Sequence, residues 1–350
     1  MKKIFTAAIF FILLLTGCGK KSDKEVRVYN FGEYIDPQIL KDFEKETGIH
    51  VVYDTYEITE DLYVKIKKGS LNVDVIVPSD YMIERLRKEN MLEKIDFSNV
   101  PNIKNIDERL HKAPYDPTGE YSVPYFWGTM GICYNKKKIQ DKMDSWDVLW
   151  NEKYKGNILM LDSSRDSIGI ALKKSGYSMN SRNPEELEKA KELLVSQKPL
   201  VHSYLLDGMV DAMTGNESDI AVMYSGYAYA AMRENADLEY VIPKEGSQIW
   251  EDSIAIIKGA KNKENAEKFI NYMLDAEVAA KNASFVGAPT PNLEARKLLP
   301  EAERNSKVLY PDLDKVPPLE ALKDPEDIIS TYDSIWSQLE IGRASCRERV

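Results

Sequence analysis

The stretch QIWEDSIAII, residues 248–257, sets Trp250, Glu251 and Asp252 directly ahead of an apolar alternation. In an extended strand alternate side chains share a face, so Trp250 and Asp252 point one way and Glu251 points the other, toward the surface. An indole face attracts an alkylammonium through its quadrupole and covers methylenes that water solvates poorly. A carboxylate beside it replaces the hydration that an ammonium loses in a closed cleft. The pair therefore suits one wall and one anchor of a pocket for a cation. A tryptophan at a strand entrance also suits plain core packing, and acids at loop ends suit plain solvation.

Other chemistries find little support. There is no G-x-S-x-G, no G-x-G-x-x-G after the first strand and no Walker A loop. The histidines His50, His111 and His202 are scattered, and the cysteines are Cys18, Cys133 and Cys346. Neither set has zinc spacing, and Cys133, in MGICYN, reads as a buried small hydrophobe. We assign no catalytic residue, no metal and no cofactor, and expect a protein that is not an enzyme. A net charge of -10 argues against nucleic acid and fits a cationic or neutral ligand.

The chain of 350 residues opens with MKKIFTAAIFFILLLTGCGKK. Lys2 and Lys3 form a positive start, and the apolar run from Ile4 to Leu15 is too short to remain as a spanning helix. Leu15-Thr16-Gly17-Cys18 looks like a bacterial lipobox, so residues 1–17 read as a lipoprotein signal peptide and Cys18 as the lipidated residue. Residues 18–25 would be a polar leash, holding the protein outside the cytoplasm on the bacterial membrane. The last stretch, IGRASCRERV, brings three arginines into a lysine-rich chain, and residues 340–350 read as a non-native tail after a helix ending near Gln338-Leu339.

The remaining chain, about 320 residues, is enough for two lobes. EVRVYNF, IHVVYDTY and VDVIVPS read as strands alternating with helices, the first of them opened by Asp36 and Pro37 and stopped by glycine. Such a series requires a mostly parallel sheet with helices on its faces, and ligands of these sheets sit at the carboxyl ends of strands. Those ends are NFGEY (30–34) and PSDY (78–81). The pattern restarts after YSVPYFWGTMGICYNKK with GNILML and DIAVMYSG. The α/β fold class, two lobes joined by two crossover strands, follows. Trp127 reads as core, and Trp146, Trp150 and Trp336 as helix packing.

From about Val26 to Leu339 the chain resembles the spermidine/putrescine-binding proteins of bacterial polyamine ABC transporters, which are bilobed extracytoplasmic solute-binding proteins with the type II periplasmic-binding-protein fold. The resemblance is carried by VYNFGEYIDPQILKDFEKETG, DVIVPSDYMIERL, VPYFWGTMGICYN, YVIPKEGSQIWEDSIAI and PTPNLEARKLLP, in that order. It implies a pocket lined by Phe31, Glu33, Tyr34, Ser79, Tyr81, Ser163, Asp166, Tyr224, Trp250 and Asp252, with Glu33 and Asp252 reaching ammonium groups. Ser163 stands where the family pattern generally has an acid, Tyr224 where it has tryptophan, and Ala288 where it has tyrosine. Leu322 falls near a usual glutamine, with Glu320 as a nearby substitute.

The implied division is 26–129 plus 253–297 for lobe 1 and 130–252 plus 298–339 for lobe 2. The implied function is capture of putrescine or spermidine and its delivery, by a monomer, to the transmembrane subunits of an ABC permease. The same scaffold with another cationic or small organic solute, or a polyamine sensor, is the alternative.

Overall fold

The computed structural model describes residues 24–347 except Ile58, Asp207 and Glu326. The signal peptide, Cys18 and the leash up to residue 23 lie outside the described residues, as do residues 348–350 of the tail.

Strands β1 (Glu25–Phe31), β2 (His50–Tyr56) and β3 (Val75–Ile76) are parallel, with β1 in the middle. The helix Pro37–Thr47 makes the first crossover. Asp36 accepts the Gln38 N–H at its start, and Gly48, at φ 68°, ends it by returning its N–H to the Glu44 carbonyl. After β4 (Leu92–Glu93) comes β5 (Ser122–Asn135), a strand of 14 residues. The second half of the chain adds β6 (Ile158–Leu161), β7 (Val201–Leu205), β8 (Ile220–Tyr224), β9 (Leu238–Val241), β10 (Ser247–Ile257) and β11 (Leu319–Glu320).

β10 runs antiparallel between β3 and β5, with Ala255 opposite both Ile76 and Ser122. The first half of β5 pairs with β10, and its second half pairs with β8 and β9. β6 lies parallel to β7 and β8. β5 thus belongs to both sheets and, with β10, carries the chain across the boundary between them.

Alternation along β10 explains its apolar run. Ile254 and Ile256 pack with Val26, Val28, Phe43, Phe269 and Ile270, whereas Ala255 packs with Leu62, Ile76, Ile83 and Leu86. A strand covered on both faces has no polar side to alternate with. The second sheet is also sandwiched: Met130, Ile132, Trp146, Met160 and Val222 form one core, and Ile168, Leu172, Leu187 and Leu194 form another with Tyr332, Ile335 and Leu339.

Two boundaries differ from expectation. The C-terminal helix spans Ile329–Arg347 and continues past Leu339, because its extension contains no proline and a single glycine is too weak a break. Leu299, Leu309 and Tyr310 pack in the first core, so the stretch after 298 stays with the first sheet, held by the helices Ala276–Val286 and Leu293–Leu298. Val308 already leans on the second core, and Leu322 is buried in it.

Trp127 is buried in the first core, where its Nε1 faces the Thr290 carbonyl at 3.4 Å, and Trp146 is fully buried in the second. Cys133 is buried in that core, and burial pushes its thiol up to about 12. No described helix is long and apolar enough to cross a membrane.

Candidate functional site

Trp250 and Asp252 sit in the extended part of β10, opposite Gly128 and Phe126 of β5. The indole lies directly over Gly128: a Cβ there would come within 2.6 Å of Trp250 Cζ2 and 2.8 Å of Ser225 Oγ. The missing side chain makes room for the ring, which meets Tyr224 edge-on at 6.1 Å and 72°. Trp250 Nε1 is buried without a partner among the described residues.

Asp252 is nearly buried, and its Oδ2 accepts the Tyr34 hydroxyl at 2.6 Å. Its backbone forms a bridge with Ser79, the residue before the helix Asp80–Lys88. Burial raises the Asp252 pKa against the opposing hydrogen bonds from Tyr34 and Ser79. Tyr34 is raised well above its ordinary value by burial and by the Asp252 charge beside it.

A second tyrosine–aspartate pair comes from the other sheet. Tyr224, at the end of β8, donates to Asp166 Oδ2 at 2.8 Å. Asp166 lies in the first turn of the helix Ser164–Lys174, where Ser163 is the cap and accepts the Asp166 N–H. Asp166 is raised by burial, opposed by the bonds from Ser163 and Tyr224, and its Oδ1 has no partner.

The remaining expected residues divide. Phe31 joins the cluster, its ring edge-on to Tyr34 at 5.6 Å. Tyr81 donates to Glu60 at 3.0 Å, and the Arg165 guanidinium covers its ring at 3.9 Å, which links the two lobes across the cleft. Glu33 is exposed, holds a φ of 53°, and no hydrogen bond among the described residues ties it to the cluster. Glu320 pairs with Lys173 and accepts from Ser178, so its charge is already engaged. Tyr227 is 45 % exposed, and Ala288 is half-buried beside Gly287, on which Gly226 packs.

Glu251 overturns its expected place. It points away from Trp250 yet is 4 % exposed, because helices cover the second face of this sheet too. It accepts the buried Tyr115 hydroxyl, and burial raises its pKa well above the usual carboxylate range. Asp80, 2 % exposed, is the acid that sequence reasoning missed, although it stands inside the quoted PSDY. Burial pushes its carboxyl up to about 8.

The raised Glu251 has a consequence for stability. A carboxyl held protonated by the fold contributes fully below its ordinary pKa and loses that contribution as pH climbs through the raised value. In the ligand-free protein, Glu251→Gln is therefore expected to raise the melting midpoint at pH 8 by roughly 2–4 °C and to change it little at pH 4. Scanning calorimetry at the two pH values checks this; a lower midpoint at both would contradict it.

A family profile described as bacterial extracellular solute-binding protein matches residues 38–309. The chain belongs to that family. This solute-binding protein is 41% identical over 317 residues to the spermidine/putrescine-binding periplasmic protein of Salmonella typhimurium, covering 90% of this chain and 91% of that one. Among solved structures, it is similar to the spermidine/putrescine ABC transporter substrate-binding protein PotD of Streptococcus pneumoniae, with a TM-score of 0.81 and 38% identity over 91% of this chain and 99% of the other. It is also similar to the TpPotD lipoprotein of Treponema pallidum, with a TM-score of 0.79 and 28% identity over 90% and 99% of the two chains. The solute-binding protein has the type II periplasmic-binding-protein fold, its two α/β lobes joined by β5 and β10.

Proposed function

We propose that this solute-binding protein captures a linear polyamine, putrescine or spermidine, between its lobes and hands it to the transmembrane subunits of an ABC permease. One observation carries the reading: two buried aspartates are each held by a tyrosine, Asp252 of β10 by Tyr34 from the first sheet and Asp166 by Tyr224 from the second, and Trp250, two residues from Asp252, meets Tyr224. Acids at more than one point of an aromatic cleft match ammonium groups separated by methylenes.

The protein would perform no chemistry on its cargo. Closure follows from ligand contacts with both lobes, since a ligand shifts the balance only by binding the closed form better. The contact of Tyr81 with Arg165, and that of the Asp324 N–H with Glu84 at 3.0 Å, are of the kind that closure makes. The lobe boundaries belong to the proposal: 26–129 with 253–310, and 130–252 with 319–339, following the packing of Tyr310 and Leu322. A monomer tethered outside the cytoplasm by lipid on Cys18 completes it.

The test is titration of the purified protein by calorimetry and tryptophan fluorescence with putrescine, cadaverine, spermidine and spermine, and with arginine, betaine and thiamine as controls. Saturable one-to-one binding of a polyamine is expected. Binding of only a control, by a protein that melts cooperatively, would overturn the ligand and leave the fold.

A further inference from the structure

Asp80 opens the helix Asp80–Lys88, and its Oδ1 accepts the N–H of Tyr81 at 2.7 Å. Its Oδ2 is buried and has no partner among the described residues. A lone buried carboxylate oxygen is costly, and native proteins rarely leave one without a reason. Asp166 Oδ1 is in the same condition. Both carboxyls lie within electrostatic reach of each other, and Asp80 also feels Asp252, its Ser79 neighbour being the residue bridged to that aspartate. Three acids from the first helix turn of one lobe, the first helix turn of the other and β10 are thereby brought together.

The Arg165 charge lowers the pKa of Asp80 and of Asp166 against burial, but among the described residues it forms no ion pair with either. Arg165 lies flat on Tyr81 and donates through Nη2 to the Lys323 carbonyl at 2.6 Å, while its Nε and Nη1 are buried without partners.

We propose that Asp80 is a further ammonium-binding carboxylate of the interlobe site, acting together with Asp166 and Asp252. The inference rests on the polyamine reading and deepens it. Three clustered carboxyls cannot all ionise in a dry cleft unless cations enter with them. A polycation supplies those charges on one flexible chain, and a monoamine does not. Without ligand, burial holds Asp80 near 8, so at pH 7 it is mostly protonated. An ammonium arriving at Oδ2 ionises it, and the proton leaves to solvent. The groups that act on this titration are Arg165 and Asp166 from the second lobe, Asp252 and Glu251 from β10, and Tyr115.

The experiment is calorimetric titration of the purified protein with spermidine at pH 7, in buffers of different ionisation heat so that proton release is read with affinity. Asp80→Asn keeps an oxygen for the Tyr81 N–H; Asp80→Ser serves if that variant does not fold. The wild type is expected to release protons on binding. Asp80→Asn should bind spermidine at least tenfold more weakly and release about one proton fewer, the complement of a group that titrates near 8. The same penalty should persist in an Arg165→Gln background.

Wild-type affinity and proton release in Asp80→Asn would overturn this assignment alone. Disappearance of the penalty beside Arg165→Gln would do the same, showing that Asp80 acts through the arginine. Failure of the wild type to bind any polyamine would remove the parent reading and this one with it.

Discussion

Asp252→Asn is expected to weaken polyamine binding by roughly 30-fold or more while leaving the fold intact. Removing one partner of a buried, hydrogen-bonded charge pair costs roughly 2–5 kcal/mol, because the other charge stays buried without compensation. Asp252 fits that case: it is nearly buried, it is oriented by the Tyr34 hydroxyl, and Ser79 is bridged to its backbone. The amide has the same shape and keeps an oxygen for Tyr34, but its NH2 would turn a donor toward an ammonium that has only donors. Stability should hold or rise, since burial disfavours the ionised form. Calorimetry with spermidine, together with a thermal melt, checks both parts. An affinity within threefold of wild type would show that Asp252 is not the anchor.

The second large effect is expected at a residue with no side chain. Gly128→Ala places a Cβ 2.6 Å from Trp250 Cζ2, 2.7 Å from Cε2 and 2.8 Å from Ser225 Oγ. Contacts that short force a shift, and overpacking of this kind costs roughly 1–3 kcal/mol. The indole is the part free to move, and moving it removes the wall of the cleft. Polyamine affinity should therefore fall about 10- to 100-fold, within that energy, and the tryptophan emission should shift. Adding Trp250→Ala separates the causes. The double variant should regain stability lost to strain without regaining binding, a coupling expected between residues in contact. Unchanged affinity in Gly128→Ala would mean that the ring lies away from the ligand.

Much of this site could be read from residue spacing. The two-residue step from Trp250 to Asp252 predicts a shared face, and the extended β10 supplies it. The strand-end rule pointed to NFGEY and PSDY, and Tyr34 and Ser79 from those segments do meet Asp252. Glu251 was misplaced because alternation tells which face a residue occupies and not what covers that face. Tyr115, which meets Glu251 on that face, lies 136 positions away in the chain. Asp80 escaped because an acid in the first turn of a helix is ordinary, being favoured by the helix dipole, and only its burial and orphaned oxygen set it apart. Glu33, given a role by the motif match, is exposed at a left-handed backbone position. No compositional break marks the boundary near 298, since Leu299, Leu309 and Tyr310 look the same whichever core receives them.

The late arrival of β10 also governs the order in which the molecule can assemble. Tyr34 and Asp252, now in contact, are separated by 218 residues, and β3 gains its second neighbour only when β10 is present. The loop entropy of such pairings must be met before their contacts reward it, so topologies of this kind fold slowly. The first sheet is therefore completed late, whereas β6, β7 and β8 close within Ile158–Tyr224. Pulse-labelled hydrogen exchange during refolding should protect β6 and β8 before β1 and β3; the reverse order would refute it. Until β10 docks, the edge of β3 and the first half of β5 remain open, which makes the half-finished chain a natural client for a holding chaperone.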